Sequence, residues 1–414
     1  MNKLIIIPLI AIIFFLIDLY VFQGIKVLLA NVSPSIKKGV TIAYWGLFAI
    51  TIILLFIYHF GNADKTGRIF RNFIMAIIFV NYFSKLFAVL FLLIDDLVRV
   101  VKWAAEKLQN PKANTTGEGI TRSDFLVKTA LVAAAVPFTG MAFGILVGAH
   151  DYRIRRKQVF MPNLPQSFDG IKICQLSDIH SGSFFNKTAV KGGIEMVLRE
   201  KPDLVFFTGD LVNNQATELN NYLDVFGKIK APLGVYSILG NHDYGDYHNW
   251  SSQEAKANNL ADLIQSHKNM GWDILLNENR KIKQGSDEIA IIGVENWGAG
   301  RFAKYGKLRE AYKGTEEAPI KLLLSHDPSH WDAEVRPLFP DIDLTFSGHT
   351  HGFQFGVEIG NVKWSPSQYV YKQWAGLYNE ANQHLYVNRG FGYLGFPGRI
   401  GMPPEITIIE LKKT

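Results

Sequence analysis

Five short polar clusters lie between Asp178 and His351, each just after an apolar run that reads as a strand. They are Asp178-Ile179-His180, Gly209-Asp210, Gly240-Asn241-His242-Asp243, Ser325-His326 and Gly348-His349-Thr350-His351. Together they offer enough carboxylate, amide and imidazole groups to hold two cations and leave one acid–base group over. A two-metal site of that kind hydrolyses phosphate esters. In Asp178-Ile179-His180 the residues at i and i+2 point to one side of an extended chain, so both reach one ion. The same spacing in His349-Thr350-His351 aims two imidazoles one way. Asp210 follows Gly209, which permits a tight turn, and its two oxygens can bridge two cations. Asn241 offers an amide oxygen. His242 beside it is left for proton transfer, and His326 completes the set. Mixed nitrogen and oxygen ligands suit Mn²⁺, Fe or Zn²⁺ better than Ca²⁺. The single cysteine, Cys174, excludes a cysteine-ligated structural zinc. It reads as a buried small hydrophobe within a strand, and it leaves the redox compartment open.

Such loops need elements to hold them. In open α/β sheets, ligands gather at the carboxyl edges of strands. Short runs rich in Val, Ile and Phe recur at Ile171–Leu176, Leu204–Phe207, Val235–Leu239, Ile289–Val294, Ile320–Leu324, Leu344–Phe346, His384–Val387 and Ile406–Leu411. Most lack strict alternation, as strands buried on both faces do. Helical stretches follow the first three clusters, at Ala189–Glu200, Glu218–Lys228 and Gln253–Met270. The order predicts α/β layers, two packed sheets with helices outside.

The first 150 residues differ. Four apolar runs, roughly Leu4–Phe22, Val40–Tyr58, Phe73–Ile94 and Thr129–Ala149, are each long enough to cross a bilayer core. Soluble helices of that length show a polar face, and these do not. Asp18 in the first and Lys85 in the third are expected to face a neighbouring helix or the interface. This part carries a net charge of +7 and the remainder −1. The basic pI therefore belongs to juxtamembrane lysines and arginines facing anionic lipid. Specific nucleic-acid binding is not expected of the globular part, and no protein partner is implied. Lys and Arg counts on the two sides of the membrane are nearly equal and do not set orientation. The segment Thr121–Lys128 before the fourth span resembles a twin-arginine export signal, with Ser123 in place of the second arginine. It favours a globular domain outside the cytoplasm, with the cytoplasmic face as the alternative. The expected organisation is a transmembrane region over 1–150, a linker and first strand over 151–170, with His150 to Phe168 as the linker, and a catalytic domain over 171–414.

The five clusters together resemble the calcineurin-like metallophosphoesterase superfamily over most of Ile171–Leu411. The membrane N-terminus and the tail Asn388-Arg389-Gly390 … Arg399 … Pro404-Glu405-Ile406 are similar to a bacterial membrane-associated branch related to hydrolases of UDP-2,3-diacylglucosamine. The resemblance implies a four-layer sandwich of two mixed β-sheets flanked by helices, preceded by an all-α transmembrane region. It implies a first metal on Asp178, His180, Asp210 and His351, and a second on Asp210, Asn241, His326 and His349. His242 would be the catalytic histidine, oriented by Asp243. Arg389 and Arg399 are candidates for gripping substrate phosphate, because a guanidinium fork matches phosphate oxygens. His248, His330 and His384 read as ordinary structural histidines. Aromatic stretches at Trp364–Tyr378 and Phe391–Pro397 can rim an apolar pocket or sit at a membrane interface. The expected activity is hydrolysis of a phosphodiester or pyrophosphate in a lipid-linked or envelope substrate. The alternatives are a broad phosphodiesterase acting on nucleotides, and a non-catalytic membrane sensor or transport accessory that binds phosphate ligands.

Overall fold

The computed structural model describes residues 3–61, 67–109, 122–300, 302–360 and 362–414. Two lysines counted toward membrane orientation, Lys65 between the second and third spans and Lys112 between the third and fourth, and Thr121 at the start of the export-like flank, lie outside them. The chain divides into two compact units, 1–143 and 144–414.

The first unit is built on four helices, α1 (Lys3–Leu28), α2 (Pro34–Phe60), α3 (Arg68–Gln109) and α4 (Asp124–Leu146). All four contain a stretch apolar and long enough to span a bilayer. Pro34 opens α2 at the position where a missing N–H costs nothing. Large apolar side chains such as Ile42, Ile53 and Leu90 are exposed, as a lipid solvent permits. The two ionisable residues within the spans pair with each other. Lys85 Nζ lies 2.6 Å from Asp18 Oδ1, and the Tyr82 hydroxyl donates to Asp18 Oδ2 at 2.7 Å. Removing one partner would strand a buried charge, at a cost of about 3–5 kcal/mol.

The second unit holds two six-stranded sheets. The first has the order β1 (Arg153–Met161), β14 (Glu405–Lys413), β2 (Lys172–Leu176), β3 (Leu204–Thr208), β4 (Val235–Ile238), β5 (Asp273–Ile274). The second runs β12 (Gly376–Glu380), β13 (Gln383–Val387), β9 (Leu344–Ser347), β8 (Lys321–Leu324), β7 (Asp287–Gly293), β6 (Glu278–Gln284). The central strands β2–β3–β4 and β7–β8–β9 are parallel, while β14 runs antiparallel to β2, and β6 and β12 antiparallel to their neighbours. A separate hairpin joins β10 (Val357–Ile359) to β11 (Val362–Trp364).

Strand alternation sets the layers. Ile173, Phe206, Ile291, Leu322 and Phe346 meet in one cluster that draws on both sheets. Their chain neighbours Cys174 and Phe207 face the other way, against Val190 and Ile194 of α5 (Lys187–Glu200) and Leu263 of α6 (Gln253–Asn269). Ile292 and Leu323 likewise turn toward Trp331 and Val335. The result is helix, sheet, sheet, helix. Both faces of each central strand are covered, which is why the sequence shows continuous apolar runs there. Burial pushes the Cys174 thiol up, keeping it a neutral hydrophobe.

Three expectations change. The first strand expected within 151–170 is Arg153–Met161, but it takes up nine residues of the stretch read as linker, as an edge strand parallel to β14. Its polar, half-exposed composition suits an edge and hides the strand signal. The helix expected over Glu218–Lys228 is only a 3₁₀ turn, Ala216–Leu219, and a helical turn, Leu223–Phe226. The polar strand β6 and the short β5 and β12 lack the apolar runs by which the other strands are read.

Candidate metal centre

The clusters occupy the loops at the carboxyl ends of β2, β3, β4, β8 and β9. Five of the candidate ligands turn through left-handed backbone: Asp178 (φ 51°), His180 (φ 49°), Asp210 (φ 61°), His349 (φ 72°) and His351 (φ 51°). Asp and His tolerate this region better than most side chains, though each such residue costs on the order of 1–3 kcal/mol. The expectation that i and i+2 share a side of an extended chain is therefore corrected, because neither pair lies on an extended segment. Sharp turns aim Asp178 and His180 at one point, and they send His349 and His351 to two different points. Glycines make room for these turns. Gly209 sits at φ 96°, and a Cβ on Gly348 would collide with the Ser177 hydroxyl and the Asp178 carboxylate.

Two groups of ligand atoms result, Asp178/His180/His351 and Asp210/His326/His349. In the first, His180 Nε2 lies 3.0 Å from His351 Nε2, and His351 Nε2 lies 3.3 Å from Asp178 Oδ1. In the second, His349 Nδ1 is 2.9 Å from Asn241 Oδ1 and 3.2 Å from His326 Nε2. Asp210 Oδ2 stands between the groups, 3.5 Å from His180 Nε2 and 3.2 Å from His326 Nε2. Bonds of about 2.0–2.2 Å from one cation to cis ligands set those ligands about 3 Å apart. The observed spacings fit that edge length.

The outer nitrogens fit as well. The ring nitrogen facing away from the groups meets Asn213 Oδ1 in His180 (3.1 Å), the Thr208 carbonyl in His326 (2.7 Å) and the Tyr371 hydroxyl in His349 (2.8 Å). Donating outward fixes each tautomer and turns a lone pair inward, as metal-ligating histidines require. Burial and charge shape the protonation. Burial holds the His180 imidazole well below its usual value. Burial alone would raise the Asp210 carboxyl, but neighbouring His326 and His242 hold it well below the carboxylate range. Burial opposes charge on His326, yet the Asp210 and Asp178 carboxylates win and bring it up to about 10, so a cation binding there would displace its inward proton.

His242 stands at the edge of the first group. Its backbone N–H donates to Asp210 Oδ1 at 2.8 Å, its Nδ1 meets the Asn213 carbonyl at 2.9 Å, and its ring lies 5.0 Å from that of His180. It lines a cavity of about 430 Å³ with His180, Asp210, Asn241, His349 and His351. The lining also includes the apolar side chains of Phe302, Phe353, Val370 and Leu394, with Phe302 edge-on to His349 at 4.7 Å, and the side chains of Tyr247, Thr350 and Tyr371.

Asp243 does not play the part expected of it. Its carboxylate accepts from the backbone N–H groups of Asp210 (2.8 Å), Leu211 (2.8 Å), Val212 (3.2 Å) and Gly240 (2.9 Å), clamping two ligand loops together. The group that meets the His242 ring is the Asn213 carbonyl. The arginines also differ from expectation. Arg389 is 2% exposed, and its guanidinium donates to Glu405 at 2.5 Å and Glu358 at 3.3 Å. Arg399 is 1% exposed and donates to the carbonyls of Arg389 and Gly392, with one nitrogen 3.2 Å from His351 Nδ1. Neither lines the cavity: Arg399 is held by loop carbonyls and Arg389 by Glu405 and Glu358, with the buried Arg389 Nε left unpaired among the described residues. Of the other histidines, His330 binds Ser325 and Glu334, and His384 binds Asn379. Phe391 and Tyr393 of the second aromatic stretch are core residues.

Three supporting residues escaped the sequence reading. Tyr247 accepts from the Asn241 amide at 3.0 Å, turning its oxygen inward, and Tyr371 backs His349. Asn213 serves two histidines at once, His180 through its side chain and His242 through its carbonyl. Its only sequence signal is its place three residues after Asp210. Asn213→Ala keeps the carbonyl and removes the support of His180. Metal affinity should fall about 10–100-fold, as for other lost ligand supports. A metal titration giving unchanged affinity would refute this role.

Residues 2–149 match the family model described as a probable calcineurin-like phosphoesterase transmembrane domain, and residues 171–353 match the calcineurin-like phosphoesterase model. The chain is 31% identical over 258 residues to the uncharacterized metallophosphoesterase YkuE of Bacillus subtilis, covering 61% of this chain and 82% of that one. It is 29% identical over 313 residues to the zebrafish (Danio rerio) transmembrane protein with metallophosphoesterase domain, covering 73% of this chain and 66% of that one. To an uncharacterized metallophosphoesterase of Aquifex aeolicus it is 26% identical, covering 66% of this chain and 98% of that one. With its two ligand groups, its four apolar helices and these matches, the chain belongs to the calcineurin-like metallophosphoesterases, hydrolases of phosphoester bonds, in a form that carries an N-terminal transmembrane domain.

Proposed function

We propose that this membrane-anchored metallophosphoesterase hydrolyses a phosphodiester or pyrophosphate in a lipid-linked or cell-envelope substrate. The observation that carries the reading is the cavity itself: two ligand groups joined by Asp210, with His242 beside them and apolar side chains in the same lining. Asp178, His180, Asp210 and His351 would hold one divalent cation, and Asp210, Asn241, His326 and His349 the other. When bound, such cations draw charge from phosphate oxygens and make water a stronger acid. His242, held at Nδ1 by the Asn213 carbonyl, keeps its other nitrogen for substrate. As the water oxygen, its proton released to solvent, bonds to phosphorus and the bond to the ester oxygen breaks, His242 gives a proton to that departing oxygen and takes one back from solvent. With Arg389 and Arg399 engaged elsewhere, the phosphate charge falls to the cations and His242. The apolar lining side chains support a substrate with a hydrocarbon portion, and the export-like flank supports a catalytic domain outside the cytoplasm.

A substrate panel tests this. Full-length protein with Mn²⁺ should cleave a lipid pyrophosphate or phosphodiester in mixed micelles with kcat/KM at least about tenfold above nucleotide diesters, the worth of roughly one well-buried apolar contact. A preference for nucleotides would overturn the lipid assignment. Two bound metals with no turnover on any member of the panel would favour a phosphate-binding sensor.

A further inference from the structure

The β10–β11 hairpin is built inside out for a protein in water. Val357 pairs with Trp364 and Ile359 with Val362, so these four side chains share one face. That face is exposed, with Ile359 at 73% and Val362 at 66%. The other face carries the Glu358–Lys363 pair and turns into the domain. There Glu358 takes a two-point grip from Arg155 (2.5 and 3.0 Å) and a contact from Arg389, while Lys363 donates to the Ala375 carbonyl over the Trp374 ring. A hairpin on a soluble surface puts its apolar face inward and its charges outward. Here ion pairs hold the charged face inward, and the apolar face is left for a partner. Contiguous apolar surface of this kind marks an interaction site.

We propose that this face enters the interfacial layer of the bilayer and opens the catalytic cavity to lipid. Three observations favour a lipid surface over another protein. The chain brings a bilayer with it, in the four apolar helices. Arg155, which grips the hairpin, follows Leu146, the last residue of α4, by nine residues. Extended chain covers at most roughly 30 Å over that length, so the connection is short enough for the hairpin's anchor to reach a membrane surface. The patch also runs into the cavity. Phe355 packs edge-on against Trp364 at 6.0 Å, and nearby Phe353 and Val370 are at once exposed and part of the cavity's lining. A hydrocarbon chain can leave the bilayer along this path without crossing water. Trp364 adds the amphipathic ring favoured at interfaces.

The inference rests on the lipid-phase reading of the same site, and its test separates the two. A fluorophore is placed on Ile359→Cys in full-length protein, where the native Cys174 is buried and does not compete. Lys283→Cys, on an exposed side chain of β6, is the control. Each protein is reconstituted in phosphatidylcholine–phosphatidylglycerol vesicles containing a doxyl-labelled lipid. The Ile359 probe should be quenched at least about threefold more strongly than the control, as expected of an apolar face seated in the acyl boundary. Equal quenching of both probes would overturn the proposal. So would shielding of the Ile359 probe from aqueous iodide without quenching by lipid, which would assign the face to a protein, such as a second copy. A second variant, Ile359→Asp with Val362→Asp, should lose at least about tenfold in turnover of a vesicle-embedded substrate and keep turnover of a soluble chromogenic diester. Lipid quenching without lipid turnover would leave the membrane contact standing and overturn only the substrate class.

Discussion

His242→Ala should retain both metals and lose most of its turnover, about 10²–10⁴-fold in kcat, the usual contribution of a positioned general acid. Metal retention follows from the geometry. The ligand distances within the two groups involve other residues, and the contact of His242 to Asp210 runs through its backbone N–H, which alanine keeps. The loss should depend on the leaving group. A substrate with an acidic nitrophenol leaving group needs little protonation and should suffer least, while an alkyl ester should suffer most. An equal loss on both would contradict the proton-donor role and leave His242 as an electrostatic element only. Full activity would remove it from the mechanism.

Asp210→Asn should empty both sites rather than one. Its Oδ2 lies within 3.5 Å of ligand nitrogens in each group, and its Oδ1 receives the His242 N–H. The substitution preserves size and removes the one negative charge common to the two sites. Loss of an outer support alone costs 10–100-fold in metal affinity, so loss of this shared ligand should exceed about 100-fold. Metal content measured after gel filtration should drop from two per chain toward none. Loss of only one metal would contradict bridging and assign Asp210 to a single site. The left-handed backbone at Asp210 suits asparagine as well as aspartate, so the variant should fold.

The chemistry of this site is legible from residue type and order, because all five motifs follow buried strands whose apolar runs are plain in the sequence. The path of the chain through the motifs is not. An extended-chain rule places Asp178 with His180 for the wrong reason and places His349 with His351 wrongly. The left-handed turns that separate them depend on tertiary contacts, such as the close approach of Gly348 to Ser177. The arginines show a second limit. Arg389 and Arg399 look suited to phosphate, yet the sequence does not reveal that Glu405, Glu358 and loop carbonyls hold both guanidinium groups. Asp243 is similar: proximity in sequence suggests service to His242, whereas the fold points its carboxylate at the Asp210 loop. Edge strands are the least legible part of the fold: a first strand is expected within 151–170 but without bounds, and β6 is not expected at all. Arg153–Met161 and Glu278–Gln284 carry the charges that edges tolerate, and those charges erase the apolar signal. The inverted hairpin at Val357–Trp364 is invisible without knowing which face Arg155 holds.

The most direct test of a two-metal phosphoesterase takes full-length protein stripped of metal and reloaded with Mn²⁺. Bound metal per chain and hydrolysis of a chromogenic phosphodiester are then followed in the same titration. The expected result is turnover that rises with the second equivalent of metal and saturates at two per chain. Turnover that saturates at one equivalent, or two tightly bound metals with no hydrolysis of any phosphate ester, would contradict it.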